Sequence, residues 1–217
     1  MSRSRILVVN PNSNEAVTRG LEEAVRALQF QHGPEIVCRT LAEGPFGIET
    51  QADVESVVLP LRSLVAAEEA SAFIIACYSD PGLHACREAT GRPVFGIAEC
   101  GVLTALARAE RFGVIAIKAR SIRRHIRYMR QMGLLDRLAG ERALEMSVAE
   151  TASGEGTLDR MIAVGTELRD RDGAEAVVMG CAGMARHRRP LEDALGVPVI
   201  DPTQAAVAMA LGAVAFQ

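Results

Sequence analysis

Hydrophobic residues in this chain alternate between short unbroken runs and longer series with helical spacing. The runs are rich in β-branched residues and end at Pro, Gly, Asn or Asp, a pattern typical of strands buried on both faces of a parallel sheet. Between them, apolar residues recur every three or four positions, which predicts amphipathic helices. Strands are predicted over residues 5–10, 35–40, 72–77, 93–97, 112–117, 144–148, 176–181 and 197–200. Helices are predicted over residues 15–28, 50–70, 84–89, 98–109, 121–132, 157–171, 188–195 and 203–216.

Three of the strand-like runs recur in the same order in the second half of the chain. Residues 5–10 are echoed by 111–116, residues 72–77 by 176–181, and residues 92–97 by 197–201. Cys77 and Cys181 end the middle pair of runs and lie 104 positions apart. The chain is therefore interpreted as two related halves, each with one cysteine at the carboxyl end of a buried strand, where open α/β sheets bind ligands.

Strands that alternate with helices through short loops predict an α/β fold with parallel sheets and right-handed crossovers. We expect two pseudo-symmetric lobes, each a mostly parallel sheet flanked by helices, with the active site in the cleft between them. The first lobe is assigned residues 1–97 plus 203–217, and the second lobe residues 98–202. No linker rich in Ser or Pro separates them, which predicts lobes that pack together.

The composition argues against nucleic-acid and membrane partners. The net charge is −3, and the basic residues of segment 120–127 fit one solvated helix face, so no nucleic-acid partner is expected. No apolar stretch approaches the ~18 residues that cross a bilayer, and residues 1–5 run into a strand pattern, which predicts a cytoplasmic protein without a membrane partner. Five cysteines, an odd number, argue against a disulfide framework.

Two thiols at equivalent places predict a specific kind of acid–base chemistry. If an approximate two-fold axis relates the halves, Cys77 and Cys181 face each other across the cleft. One thiolate then removes a proton from a carbon, and the other thiol donates a proton to the opposite face. Helix N-termini after each cysteine are expected to lower its pKa. The alternatives are that both cysteines are inert core residues, or that they form a disulfide, which a reducing compartment disfavours.

Polar groups near the strand ends are candidates for substrate binding. Residues 10–14 break the first strand, and their amide and hydroxyl groups suit a carboxylate or imide oxygen, although Asn12 or Ser13 can instead cap the next helix. Backbone N–H groups of the turns after the cysteines are expected to stabilise an enolate oxygen. The complete set of candidates is Asn10, Asn12, Ser13, Tyr78, Ser79, Asp80, Gly180, Ala182 and Gly183.

The sequence gives no reason to expect a cofactor or a metal ion. Its single lysine, Lys118, has no Gly-rich phosphate-binding loop nearby, and neither a dinucleotide fingerprint nor a P-loop occurs. The four histidines show no metal-ligand spacing.

Four segments together resemble the hydantoin racemase branch of the aspartate/glutamate racemase superfamily. They are Asn10-Pro11-Asn12-Ser13, Cys77-Tyr78-Ser79-Asp80-Pro81-Gly82-Leu83, Pro93-Val94-Phe95-Gly96-Ile97-Ala98-Glu99 and Gly180-Cys181-Ala182-Gly183-Met184. The resemblance implies a cofactor-independent racemase with two Rossmann-like lobes, usually a homo-oligomer. It also implies that Cys77 and Cys181 are the catalytic acid and base, and that the substrate is lined by Asn12, Tyr78, Ser79, Ala182 and Gly183.

The residues after the cysteines narrow the expected substrate. Amino-acid racemases of the superfamily follow their cysteines with Asn-Thr and Thr-His, whereas Tyr-Ser and Ala-Gly follow here. A cyclic imide, a 5-substituted hydantoin or allantoin, is therefore expected rather than free aspartate or glutamate. The hydantoin branch tends to carry Phe-Gly after its first cysteine and a Thr-Thr pair where this chain has Ala116 and Ile117, so Arg120, Ser121 or Arg123 is a candidate for a substitute contact.

Other functions on the same scaffold stay open at this point. They are an aspartate/glutamate-type amino-acid racemase, a maleate isomerase, which uses one cysteine as a nucleophile, and an arylmalonate decarboxylase-like enzyme. The last keeps only the second cysteine, so the presence of Cys77 argues against it. An alternative of another class is a non-catalytic protein whose lobes close on a small molecule.

Overall fold

The computed structural model describes residues 4–153 and 156–216. The first three residues, on which part of the expectation about the chain's start depends, lie outside this range. Eight strands are β1 (Arg5–Asn10), β2 (Glu35–Thr40), β3 (Ala72–Ile75), β4 (Val94–Gly96), β5 (Phe112–Ala116), β6 (Leu138–Ala143), β7 (Ala176–Met179) and β8 (Val199–Ile200). The helices are α1 (Glu15–Val25), α2 (Gln51–Ser56), α3 (Val58–Ala67), α4 (Leu83–Ala89), α5 (Ile97–Leu106), α6 (Ala119–Gln131), α7 (Val148–Ser153), α8 (Thr157–Asp170), α9 (Arg188–Leu195) and α10 (Pro202–Ala215).

The strands form two parallel sheets with the same internal order, which confirms the predicted α/β fold. The first sheet runs β2-β1-β3-β4 and the second β6-β5-β7-β8. The sequence repeat pairs β1 with β5, β3 with β7 and β4 with β8, and each pair occupies the same place in its sheet. The two halves of the chain are thus related strand by strand, and β3 and β7 are both interior strands, covered on both faces.

One predicted strand is wrong, and its neighbour was missed. Residues 144–148 form no strand, while β6 occupies residues 138–143, where the sequence pattern was ambiguous. As the edge of its sheet, β6 has one unpaired side and only partly buried residues, so it lacks a continuous apolar run. The predicted helix at 50–70 is divided at Val57 into α2 and α3.

The two sheets are joined by helices rather than by a linker. Helices α5 and α10 pack against each other, α10 also contacts β1, β3 and β4, and α5 also contacts β7 and β8. The lobe boundaries assigned from the sequence stay a prediction. None of the helices in the described parts of the chain is long and apolar enough to cross a lipid bilayer.

Candidate active site

Cys77 and Cys181 occupy equivalent positions in the two sheets. Each follows the last residue of its strand by two positions, after Ala76 in the first sheet and Gly180 in the second. The preceding backbone is held in the same way, because Ala76 N donates to Val9 O and Gly180 N donates to Ile115 O, both over 2.8 Å. The repeat in the sequence therefore produces a repeat in how each thiol is presented.

Both cysteines line one cavity between the two sheets. Its walls are formed by Asn12, Val17, Ile48, Ala76, Cys77, Tyr78, Ser79, Ile117, Ser121, Arg124, His125, Val148, Gly180, Cys181 and Ala182. The cavity volume is about 30 Å³, room for about two water molecules. The hydantoin ring expected from the sequence is larger than this volume, so we call the arrangement described here the closed form.

The surroundings of each sulfur are alike in the backbone. Cys77 accepts a hydrogen bond from the Ser79 N–H, and Cys181 accepts one from the Gly183 N–H. These bonds favour the thiolate, yet burial outweighs them. Burial raises the pKa of Cys77 to about 12 and also raises the pKa of Cys181.

The expectation of lowered cysteine pKa values is therefore wrong for this closed form. Helix α4 begins only at Leu83, six positions after Cys77, and only a short 3₁₀ turn, Ala182–His187, follows Cys181. Neither thiol has a full α-helix N-terminus against it. Both thiols rest protonated, and a thiolate must form when the site is occupied or open.

The Asn-rich loop after β1 orients one amide toward the cavity. Asn12 Oδ1 accepts hydrogen bonds from Asn10 Nδ2 (3.1 Å) and from Asn14 N (2.9 Å). Within the described residues, Asn12 Nδ2 has no acceptor, so its two N–H groups are left for a ligand. The helix cap is Asn14, whose side chain accepts from Ala16 N over 3.0 Å; neither Asn12 nor Ser13 caps α1.

Asn10 and Asp80 support the site without lining the cavity. Asn10 is fully buried and also donates to Thr18 Oγ1 over 3.0 Å. The Asp80 carboxylate accepts from Ala98 N and Glu99 N, both over 2.9 Å, and thereby caps α5. Burial raises the pKa of Asp80 to about 7. Asp80 thus ties the turn after Cys77 to a helix that contacts both sheets.

Seven of the eleven sequence-predicted site residues line the cavity and four do not. The four are Asn10, Ser13, Asp80 and Gly183. Ser13 N donates to Pro45 O over 3.0 Å, and Gly183 acts on Cys181 through its N–H. Tyr78 and Ala182, at equivalent places after the cysteines, line the cavity, and their N–H groups have no acceptor in the described part of the chain.

Helix α6 supplies three cavity residues, of which only Ser121 was named as a candidate. They are Ser121, Arg124 and His125. Arg124 Nε donates to Ser79 Oγ over 2.9 Å, which links α6 to the turn after Cys77. Arg123 is exposed and Arg120 pairs with Glu49 over 2.6 Å, so neither lines the cavity. The spacing of Ser121, Arg124 and His125 at i, i+3 and i+4 puts them on one face of the helix, and this was the signal available in the sequence. The basic composition of the segment instead favoured a solvent-exposed face.

A buried polar cluster stands behind the α6 wall. His125 Nδ1 donates to Glu141 Oε1 over 2.5 Å, and the two side chains are only 5% and 1% exposed. The ring of Tyr78 meets the His125 ring edge-on, with centroids 5.1 Å apart. The Tyr78 hydroxyl and Glu141 Oε2 are buried without a hydrogen-bond partner among the described residues. Because Nδ1 is held by Glu141, Nε2 is the nitrogen of this cavity residue that remains for a ligand.

The cavity is roofed by contacts between the two sheets' loops. Glu49, in the loop before α2, accepts from Val148 N over 3.1 Å through Oε1 and pairs with Arg120 through Oε2. This single carboxylate therefore holds Val148 of α7 and Arg120 of α6 beside Ile48. Among the described residues, no group of three His, Cys, Asp or Glu side chains is placed to hold a metal ion.

Comparison with known proteins gives one consistent family. Residues 6–210 match the family model described as Asp/Glu/Hydantoin racemase. A hydantoin racemase of Paenarthrobacter aurescens is 37% identical over 221 residues, covering 98% of this chain and 93% of the relative. Two solved structures superpose closely. The allantoin racemase of Klebsiella pneumoniae has a TM-score of 0.93 and 31% identity, covering 98% of this chain and 88% of its own. The Pseudomonas fluorescens allantoin racemase has a TM-score of 0.92 and 28% identity, with coverage of 98% and 91%.

Proposed function

This chain belongs to the Asp/Glu/hydantoin racemase family, and from that premise we propose that it is a cofactor-independent racemase of 5-substituted hydantoins or allantoin. A hydantoin racemase and an allantoin racemase both match it over nearly its whole length. The observation that carries the proposal is that Cys77 and Cys181, from equivalent strands of two related sheets, line the same cavity.

In the proposed reaction the C5 carbon of the ring lies between the two sulfurs. One sulfur, as thiolate, takes the C5 proton, and the electron pair left on C5 delocalises into the neighbouring C4 carbonyl as an enolate. The other cysteine, as thiol, gives its proton to the opposite face of C5 and becomes the thiolate. The product is the mirror image of the substrate, and the reverse reaction exchanges the roles of Cys77 and Cys181.

The enolate oxygen requires hydrogen-bond donors that protein groups do not already occupy. The Ser79 and Gly183 N–H groups are bonded to the sulfurs, where they stabilise whichever cysteine is the thiolate. Among the described residues, the uncharged donors of the cavity wall without an acceptor include Asn12 Nδ2 and the N–H groups of Tyr78 and Ala182. We propose that the carbonyl oxygens of the ring accept hydrogen bonds from these donors, because donors that are fixed in place before the reaction stabilise developing negative charge most effectively.

Deuterium exchange tests the proposal directly. Each enantiomer of a 5-substituted hydantoin and of allantoin is incubated with the protein in heavy water, and C5 deuteration is followed by NMR alongside optical rotation. The wild type is expected to racemise at least one of these compounds, with deuterium entering C5 faster than in the protein-free blank. Cys77→Ser and Cys181→Ser are expected to lose racemisation.

A third variant controls for the general effect of replacing a cysteine. Cys38 lies on β2, is half-buried like Cys77 and does not line the cavity. Cys38→Ser is therefore expected to keep wild-type rates. Absence of exchange with every hydantoin and with allantoin, while the protein binds them, would overturn the proposal in favour of a binding protein.

We also propose that the chain works in the cytoplasm as a homo-oligomer, as the family resemblance implies, with lobes divided as the sequence analysis assigns them. The described residues contain five free cysteines, which suits a reducing compartment. Light scattering after size-exclusion chromatography measures the oligomeric state, and a monomer at micromolar concentration would contradict that part of the proposal.

A further inference from the structure

The α6 wall of the cavity carries the positive charge of Arg124, which forms no ion pair with a carboxylate of the described residues. Within residues 4–153 and 156–216, no carboxylate oxygen lies within 4.0 Å of the Arg124 guanidinium. Glu141 and Asp53 attract it only from beyond that distance, and burial lowers the pKa of Arg124. A partly buried guanidinium is costly unless an anion accompanies it, so this position calls for a negative group in the cavity.

Among the described residues, the rest of the lining supplies no carboxylate to this cavity, and the only anions it can form are the thiolates of Cys77 and Cys181. No Asp or Glu lines it, and its other polar side chains are neutral amides, hydroxyls and thiols together with His125. Only Nε of Arg124 has a hydrogen-bond acceptor among the described residues, the Ser79 hydroxyl. The two terminal nitrogens of Arg124 therefore remain available to a ligand. Their parallel N–H groups match the two oxygens of a carboxylate.

We propose that Arg124 determines substrate choice by binding a carboxylate on the 5-substituent of the hydantoin ring. This inference rests on the proposed function, and it names a narrower substrate class than a hydantoin or allantoin. The preferred substrate is an anionic hydantoin, such as 5-carboxymethylhydantoin, rather than one with a neutral substituent. His125, held by Glu141 one residue along α6, presents its second nitrogen to the same wall.

A different role for Arg124 makes a different prediction. Arg124 also lies near enough to Cys77 to favour its thiolate electrostatically. If that were its whole purpose, replacing Arg124 would slow every substrate by the same factor. Recognition of a carboxylate instead requires that the loss depend on the charge of the 5-substituent.

The experiment compares two substrates of the same size and shape. These are 5-carboxymethylhydantoin and its amide, 5-carbamoylmethylhydantoin, with kcat and KM measured by polarimetry and corrected for spontaneous racemisation. The wild type is expected to favour the acid by about tenfold to a hundredfold in kcat/KM, the range for a charge-assisted hydrogen-bonded pair.

Variants of α6 locate the source of the preference. Arg124→Gln keeps a donor for Ser79 but loses the charge, so it is expected to abolish the preference, mainly by raising KM for the acid. Arg124→Lys keeps the positive charge but loses the two parallel N–H donors of the guanidinium. This variant is expected to retain part of the preference for the acid. Arg123→Gln removes an exposed arginine of the same helix that does not line the cavity, and should behave as wild type.

The possible outcomes test the role of Arg124 and the racemase activity separately. A wild type that racemises both compounds without preference overturns the role of Arg124 and leaves the racemase intact, and this result needs no variant to fold. A preference that survives in Arg124→Gln, or an equal loss for both substrates, overturns it as well. Failure to racemise any hydantoin removes the proposed function itself.

Discussion

The turn after Cys77 and the turn after Cys181 hold the sulfur with the same backbone hydrogen bond, but the charged and hydroxyl side chains near the two sulfurs differ. Each sulfur accepts the N–H of the residue two positions later. Burial raises the pKa of both thiols. Beyond burial, Cys181 and Asp80 raise the pKa of Cys77 and the Arg124 guanidinium lowers it, whereas the Thr151 hydroxyl lowers the pKa of Cys181 and Glu49 and Asp201 raise it.

This comparison separates the features that the two halves of the chain share from the features in which they differ. The strands and turns of the two halves supply two equivalent thiols. The charged and hydroxyl groups beside them come from helices and loops, including α6 and α7, that differ between the halves. Burial keeps the pKa of both thiols raised, so neither cysteine is fixed as the base before a substrate binds.

Removing one thiol at a time is the largest disturbance of this symmetry. In Cys181→Ala only Cys77 can exchange protons, and in Cys77→Ala only Cys181 can. Each variant is expected to lose racemisation by at least about a hundredfold, the usual contribution of a positioned acid or base. Each should still exchange the C5 proton of one enantiomer with retention, and of opposite enantiomers in the two cases. Exchange of the same enantiomer by both variants would contradict a site with opposed thiols.

The pH dependence of the rate is the next largest effect. A thiol with a raised pKa is less ionised at a given pH, and ionisation increases as pH rises toward that pKa. Because burial raises the pKa of Cys77 to about 12 in the closed form, kcat/KM is expected to rise by about tenfold per pH unit from pH 6 to pH 8. A plateau reached below pH 8 would mean that opening the site restores an ordinary or lowered thiol pKa.

The residues before the two cysteines offer a comparison in stability. A Cβ added at Gly180 would lie 2.6 Å from Ile115 O, whereas Ala76 already carries a Cβ at the equivalent position. Gly180→Ala is expected to lower the free energy of unfolding by about 1–3 kcal/mol through overpacking. The reciprocal change, Ala76→Gly, should cost about 0.5–1 kcal/mol through added chain freedom. Urea unfolding of the two variants measures the difference, and equal losses would contradict it.

Thr151 gives the smallest expected effect and concerns only the second thiol. Its single hydroxyl hydrogen donates to Val148 O over 2.8 Å in this form, and it favours the Cys181 thiolate when it turns from Val148 O to the sulfur. Thr151→Val is expected to slow, by about fivefold, the direction of racemisation in which Cys181 is the base, as one hydrogen bond is worth about 1 kcal/mol. Because an enzyme cannot alter the equilibrium between enantiomers, the comparison is made on kcat and on C5 exchange rates. Thr151→Ser, which keeps the hydroxyl, should remain near wild type.

The sequence was most informative about the buried centre of each sheet. β1, β3, β5 and β7 are apolar because neighbours cover both faces, and their repeat placed the two cysteines correctly. Edge strand β6 was missed because it contains Gly140, Glu141 and Arg142. A Cβ at Gly140 would lie 2.5 Å from Asp172 Oδ2, and Arg142 pairs with Asp172 over 2.7 Å. Those polar residues follow from tertiary contacts that no local pattern contains.

The part of the site contributed by α6 was unpredictable for a related reason. Arg123 and Arg127 face solvent, as a basic helix suggests, while Arg124 and His125 on the same turn face the cavity. Local composition does not distinguish them. Their hydrogen-bond partners do, since Glu141 of β6 binds His125, and Ser79, in the turn after Cys77, accepts a hydrogen bond from Arg124.

The tight enclosure around the two sulfurs has a consequence for isotopes. Both sulfurs lie in one cavity between the sheets, so a substrate that fills this cavity separates them from bulk solvent, and a hydrogen taken from C5 stays on the thiol that took it. During the life of the carbanion that hydrogen can return to its original face, and such returns leave no trace in the label. Washout of a C5 tritium should therefore lag behind the true frequency of bond breaking.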